Sequence, residues 1–234
     1  MIYVTSDLHG YPLDKFKALL KKAEFTDNDF CFVLGDVIDR GDDGIKTLRW
    51  IINQPNFKLI LGNHEALMLS CDFVFGEITD KPFASLIGRN LDAYLTWIFN
   101  GGQKTINELY SMTEGEKKHI SEYLRKSPAY ENVSVGNKEF LLTHSGLGRF
   151  DKNKKISEYS TIDLIWNRPA LKEKYFDNIL TVFGHTPTHY YGSEYEGRAI
   201  ITDTWINIDT GSACGGNPML LRLDDLKEFY IDEK

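Results

Sequence analysis

The chain has 234 residues, enough for one large domain or two small ones with a proper core. An apolar fraction of 42% with 13% aromatic residues is globular and excludes a disordered or fibrous chain. The formal net charge of -7 comes without a basic cluster, which argues against a general nucleic-acid binder, although bound metals and a few arginines let an acidic protein hold phosphate.

No run approaches the ~18 apolar residues of a membrane-spanning helix, so no membrane partner is expected. The opening MIYVTSD has neither a basic region nor a long apolar stretch, and a signal peptide is not expected. The three cysteines, Cys31, Cys71 and Cys214, are odd in number and lack metal-ligand spacing. They read as reduced thiols of a cytoplasmic protein without disulfides.

In chain order, the apolar run of IYVTSDLHG (2–10) predicts a buried strand that ends in a polar cluster. PLDKFKALLKKAEF then has helical spacing through Leu13, Phe16, Leu19 and Leu20. Two further strand-and-cluster units follow, CFVLGDVIDRG (31–41) and KLILGNHE (58–65). From about 65 to 127 the segments HEALMLSCDFVF, LDAYLTWIF, GGQKTINELY and EKKHISEYLRK predict short helices, with Thr113 and Glu116 as a capping box. EFLLTHSG (139–146), LTVFGHTP (180–187) and WINIDTG (205–211) repeat the strand-and-cluster pattern. Residues 188–209 read as strands with turns at Gly192–Ser193 and Glu196–Gly197. A helix between buried strands argues for an α/β sandwich, and polar residues gathered at the carboxyl ends of strands mark one site.

Each cluster has a bland reading. Asp7 and His9, two apart on a strand, point to one side and could grip one ion; alone, a helix cap or a loop salt bridge is the better reading. Gly35-Asp36-Val37-Ile38-Asp39-Arg40-Gly41 is stronger, because two carboxylates and an arginine bracketed by glycines suit a tight turn against a ligand. Asp42 and Asp43 read as a solvated face. In Gly62-Asn63-His64-Glu65 adjacent residues point apart, which assigns Asn63 to a metal and His64 to substrate, with Glu65 orienting neighbours or capping the next helix. A lone histidine after a strand is usually structural, but His144 and His185 both occupy the position of the Asp and Asn clusters. His119 reads as solvent-facing, and His189 near the rim has no assigned role. Cys214 reads as buried without function rather than redox-sensitive.

Taken in order, Asp7-Leu8-His9-Gly10, Gly35 to Gly41, Gly62 to Glu65, His144-Ser145-Gly146 and Gly184-His185-Thr186 resemble the motif set of the phosphoprotein phosphatase family of calcineurin-like metallophosphoesterases. The likeness runs from residue 2 to about 224 and is strongest to its compact phage and bacterial serine/threonine phosphatases. Trp97 to Gly102 and Ile208 to Gly211 also look like family features. GDxxDRG followed by GNHE is the specific part.

The resemblance implies a β-sandwich of two mixed sheets flanked by helices, a single domain over 1–234 with a helical insertion at about 65–135. It implies two divalent metals, manganese first and iron or zinc as alternatives, bridged by Asp36. One would be held by Asp7, His9 and Asp36, the other by Asp36, Asn63, His144 and His185. A bridging hydroxide is the implied nucleophile, with Arg40 and Arg168 on the phosphoryl oxygens and His64, held by Asp39, as the acid. The expected function is a cytoplasmic serine/threonine phosphatase, with possible dual specificity, acting as a monomer on phosphoproteins or small phosphoesters. The alternative is a symmetrical diadenosine tetraphosphate hydrolase. A non-catalytic metal- or phosphate-binding module is disfavoured because His64, Asp39 and Arg40 are all present, and a nuclease by GDVIDRG and the acidic charge.

Overall fold

Residues 1–76 and 89–231 are described by the computed structural model, so part of the expected helical insertion lies outside the described residues. The strands are β1 (Ile2–Thr5), β2 (Phe30–Val33), β3 (Phe57–Leu59), β4 (Tyr130–Val135), β5 (Lys138–Thr143), β6 (Leu180–Phe183), β7 (Ile200–Ile201), β8 (Trp205–Asn207), β9 (Met219–Arg222) and β10 (Lys227–Tyr230). They form two five-stranded sheets, ordered β10-β9-β1-β2-β3 and β4-β5-β6-β8-β7. Both are mixed. β1, β2 and β3 run parallel beside antiparallel β9 and β10, and β5, β6 and β8 run parallel between antiparallel edges.

Period-two alternation assembles the sandwich. Val4, Phe32, Leu142, Val182 and Ile206 face inward and fill one core between the sheets. Their neighbours Tyr3, Cys31 and Val33 face outward against helices, while Leu141, Phe183 and Trp205 face the loops on the other side. Among the described residues the helices are α1 (Leu13–Lys22), α2 (Gly44–Ile52), α3 (Asn63–Ser70), α4 (Arg89–Phe99), α5 (Gln103–Tyr110), α6 (Glu114–Lys126) and α7 (Thr161–Ile165). As expected, α1 buries Leu13, Phe16, Leu19 and Leu20, and Thr113 with Glu116 caps α6.

Three local expectations are corrected. Residues 188–196 are short 3-10 turns at Thr188–Tyr191 and Ser193–Tyr195, and only Ile200–Ile201 and Trp205–Asn207 are strand. Cys214 is exposed rather than buried, while Cys31 and Cys71 are buried, and all three are free thiols. Asp43 also does more than face solvent, since its Oδ2 accepts the N–H of Leu13 at 2.8 Å and so ties α1 to the loop after β2.

Candidate metal centre

The strands stop early and their last residues leave in unusual conformations. β1 ends at Thr5, yet Asp7 and His9 both have positive φ (51° and 44°), so strand alternation does not align them. Of nine non-glycine residues with positive φ among those described, six are Asp7, His9, Asp36, Asp39, Arg40 and His185. Each such residue costs roughly 1–2 kcal/mol, which only a surrounding that over-determines the loop can sustain. Here the ladder continues past the strand ends through Asp7 N–H to Gly35 C=O (3.1 Å), His9 N–H to Asp36 C=O (2.8 Å) and Gly10 N–H to Val37 C=O (2.8 Å). Glu65, fully buried, takes the N–H groups of Asp36 (2.8 Å), Val37 (2.9 Å) and Gly62 (3.2 Å) on its carboxylate.

Asp36 Oδ2 is the common point of the site. His144 Nε2 lies 3.3 Å from it, His9 Nε2 3.6 Å and His64 Nε2 3.8 Å. His144 Nε2 also lies 2.9 Å from Asn63 Oδ1 and 3.2 Å from His185 Nδ1. Asp7 joins through Oδ1, 3.9 Å from His9 Nε2, while its Oδ2 accepts the His185 N–H at 2.9 Å. All six residues expected at the metals are therefore buried together. Two overlapping trios, His9–Asp36–His64 and Asp36–His144–His185, keep one ligand atom each within 4.8 Å of the others.

Two histidines are oriented by carbonyls. His144 Nδ1 donates to Leu34 C=O (2.6 Å) and His9 Nδ1 to Ile38 C=O (3.2 Å), which turns the Nε2 lone pairs inward as a metal ligand requires. Asp7 Oδ1 and His185 Nε2 are buried without a hydrogen-bond partner. Orphaned polar atoms beside converging lone pairs fit divalent cations, and a nitrogen and oxygen set without thiolate fits manganese, iron or zinc.

The buried charges of the cluster act strongly on one another. Burial and the neighbouring Asp36 charge push Asp7 up to about 7. Burial also raises the cost of charging Asp36, but the imidazoles of His144 and His64 outweigh it and hold Asp36 well below the carboxylate range. Burial pulls His144 down, yet Asp36 and Asp7 overcome this and lift it to about 10. Burial and then His144 drive His185 down to about 2. Asp209, at the end of β8, is buried and pushed well above its usual range by burial and by Asp7.

Beside the cluster, His64 Nδ1 donates to Asp39 Oδ2 at 2.6 Å, and the exposed Arg40 reaches His64 Nε2 with Nη2 at 3.2 Å. Arg168 is exposed, and its Nη1 donates to Thr186 Oγ1 at 3.1 Å, one residue beyond His185. His119 is exposed as expected, and His189 is half-buried against Tyr190. Trp166, whose ring meets His185 edge-on at 5.8 Å, and Ser212, whose hydroxyl donates to the Asp7 carbonyl, were not singled out by residue type. Neither carries a sequence signal, since an exposed tryptophan and a loop serine are common.

A family model described as calcineurin-like phosphoesterase matches residues 1–210. Serine/threonine-protein phosphatase 2 of Salmonella typhimurium is 29% identical over 223 residues, which span 92% of this chain and 89% of that protein. A symmetrical bis(5'-nucleosyl)-tetraphosphatase of Buchnera aphidicola is 41% identical over 71 residues, 30% of this chain and 26% of its own. A crystal structure provisionally assigned as a diadenosine tetraphosphatase shares the fold with a TM-score of 0.66, at 16% identity and with 98% and 92% of the two chains covered. With the family model matched over most of its length, this chain belongs to the calcineurin-like phosphoesterases, hydrolases built around a binuclear divalent metal centre.

Proposed function

We propose that the chain is a metal-dependent phosphatase acting on phosphoserine and phosphothreonine in proteins, with phosphotyrosine as a further substrate. The observation that carries this reading is the buried His64–Asp39 pair at 2.6 Å with Arg40 at its edge. A serine alkoxide is a poor leaving group and must be protonated as it departs, whereas a nucleotide phosphate leaves without that help. An oriented acid is therefore most useful on an alkyl phosphomonoester.

Asp7, His9 and Asp36 would hold one divalent ion, and Asp36, Asn63, His144 and His185 the other, with manganese favoured. Such a pair supplies Lewis-acid polarisation of the phosphoryl oxygens and makes water more acidic. Arg40 and Arg168 bind the non-bridging oxygens through planar forks. Asp39 keeps the Nδ1 proton of His64 on its own side, so that Nε2 is the nitrogen that faces the leaving oxygen.

The end-to-end similarity to the Salmonella phosphatase supports a protein substrate, since it spans 89% of that protein. The second reading, symmetrical diadenosine tetraphosphate hydrolysis, draws on the 41% identity of the Buchnera segment. Free thiols support a reducing, cytoplasmic setting, and no helix among the described residues is long and apolar enough to cross a membrane. We take the chain as one domain working as a monomer. Manganese-dependent phosphate release from a phosphoserine peptide, measured beside diadenosine tetraphosphate cleavage, tests the substrate. A higher kcat/KM on the peptide is expected; a higher value on the dinucleotide would overturn the protein-phosphatase reading.

A further inference from the structure

The corner between α4 and α5 comes from the Trp97 to Gly102 stretch that the metal site leaves without a role. Asp39 is fully buried and its carboxylate receives three donors. Thr105 Oγ1 donates to Oδ1 at 2.5 Å, while Trp97 Nε1 (2.8 Å) and His64 Nδ1 (2.6 Å) share Oδ2. The Thr105 hydroxyl also accepts the Asp39 N–H at 3.0 Å, so its own proton is directed to the carboxylate. An indole N–H is a donor only and has one direction. With both fixed, the carboxylate plane has one setting, and so does the imidazole that leans on it.

The same corner holds the next residue. Gly101 C=O accepts the Arg40 N–H at 3.2 Å, and Asn100 C=O accepts Arg40 Nε at 3.3 Å. A Cβ at Gly102 would meet Trp97 Nε1 at 2.5 Å, so the glycine is what lets the indole lie against the turn and reach Asp39. Trp97 and Thr105 are themselves fully buried.

We propose that Trp97 and Thr105 are positioning residues that lock the Asp39–His64 pair and thereby set how well the protein cleaves poor leaving groups. The corner also shapes Arg40, which makes it the element that couples leaving-group protonation to phosphoryl binding. This rests on the reading of His64 as the acid. The competing account is that the two donors merely satisfy a buried carboxylate and tie α4 and α5 to the sheet.

The test compares kcat on a phosphoserine peptide with kcat on 4-nitrophenyl phosphate, both with manganese, in Trp97→Phe, Thr105→Val and Thr105→Ser, with His64→Asn as reference. An oriented acid supplies ~10²–10⁴-fold, so Trp97→Phe and Thr105→Val should lose ~10-fold or more on phosphoserine and clearly less on the aryl ester. Thr105→Ser, which keeps the hydroxyl, should restore the peptide-to-aryl ratio, and the metal content of all three should match wild type. A structural role alone would lower both rates together. If His64→Asn shifts the ratio and the two brace variants do not, the brace is overturned while the acid stands. If His64→Asn leaves the ratio unchanged, the acid reading fails and takes the brace with it. Independently of activity, long-range proton–nitrogen spectra of ¹⁵N-histidine protein should show one Nδ1–H signal for His64, from the proton held against Asp39, assigned by its absence in His64→Asn. Thr105→Val should move or split that signal; an unmoved signal contradicts the proposal.

Discussion

Replacing Glu65 with alanine removes the acceptor that holds the loops after β2 and β3 together. Its carboxylate takes the N–H groups of Asp36 at 2.8 Å, Val37 at 2.9 Å and Gly62 at 3.2 Å, with none of the residue exposed. A buried donor left without a partner costs about 1–3 kcal/mol, so three set an upper limit of roughly 3–9 kcal/mol. Part of this returns, because burial and the nearby Asp36 already disfavour the ionised form of Glu65, and a water can enter the space. A net loss of about 2–4 kcal/mol follows, and for a chain of this size each kcal/mol lowers Tm by ~2–4 °C. Thermal unfolding in chelator should therefore show Tm lower by roughly 5–15 °C, with Glu65→Gln intermediate because its single oxygen still accepts. A fall below about 2 °C in the alanine variant would refute the claim that Glu65 sustains the strained Asp36 loop.

Gly184→Ala should lose bound metal, since a Cβ there collides with Asp7 Oδ2 and Ser6 Oγ; wild-type metal content in the variant would contradict this. His64→Asn should keep two metals per chain while losing most turnover on phosphoserine, and loss of one metal would make His64 a ligand, as its place in the His9–Asp36–His64 trio allows. Burial works against an ionised Asp163, but hydrogen bonds from Ser160 and Arg149 hold its carboxyl below the usual carboxylate range. Its contribution is thus complete above an unfolded value near ~3.9 and is lost as pH falls through the lower folded value. Asp163→Asn should flatten the acid limb of a Tm-against-pH profile, and an unaltered limb would show that the pair is not felt.

How much of this was legible follows from which contacts are local. Asp36, Asn63, His144 and His185 could be picked out because each directly follows an apolar run, and two sheets with parallel strands bring such ends to one edge. Asp7 and His9 were not legible locally, where a helix cap or a loop salt bridge was the better reading, because left-handed backbone after a strand leaves no trace in residue type. The 188–196 stretch read as strand with turns, yet it forms 3-10 segments, with Tyr191 packed near Trp205. β9 and β10 are short, and β9 is fixed by pairing with β1 more than 200 positions away, so no local pattern announces them. Cys214 sits between left-handed Gly211 and Gly215, a turn that lifts it to the surface. The hold of Trp97 and Thr105 on Asp39 spans 58 and 66 positions, and only coordinates reveal it.

In the proposed site one carboxylate, Asp36, joins two metal ions. Metal stoichiometry of purified wild-type and Asp36→Asn protein after loading with manganese and removal of excess tests it most directly. Two ions per wild-type chain and no stable loading in the variant are expected, because Oδ2 of Asp36 lies 3.6 Å from His9 Nε2 and 3.3 Å from His144 Nε2, between the two proposed ligand sets. An Asp36→Asn chain that retains two manganese ions would contradict it.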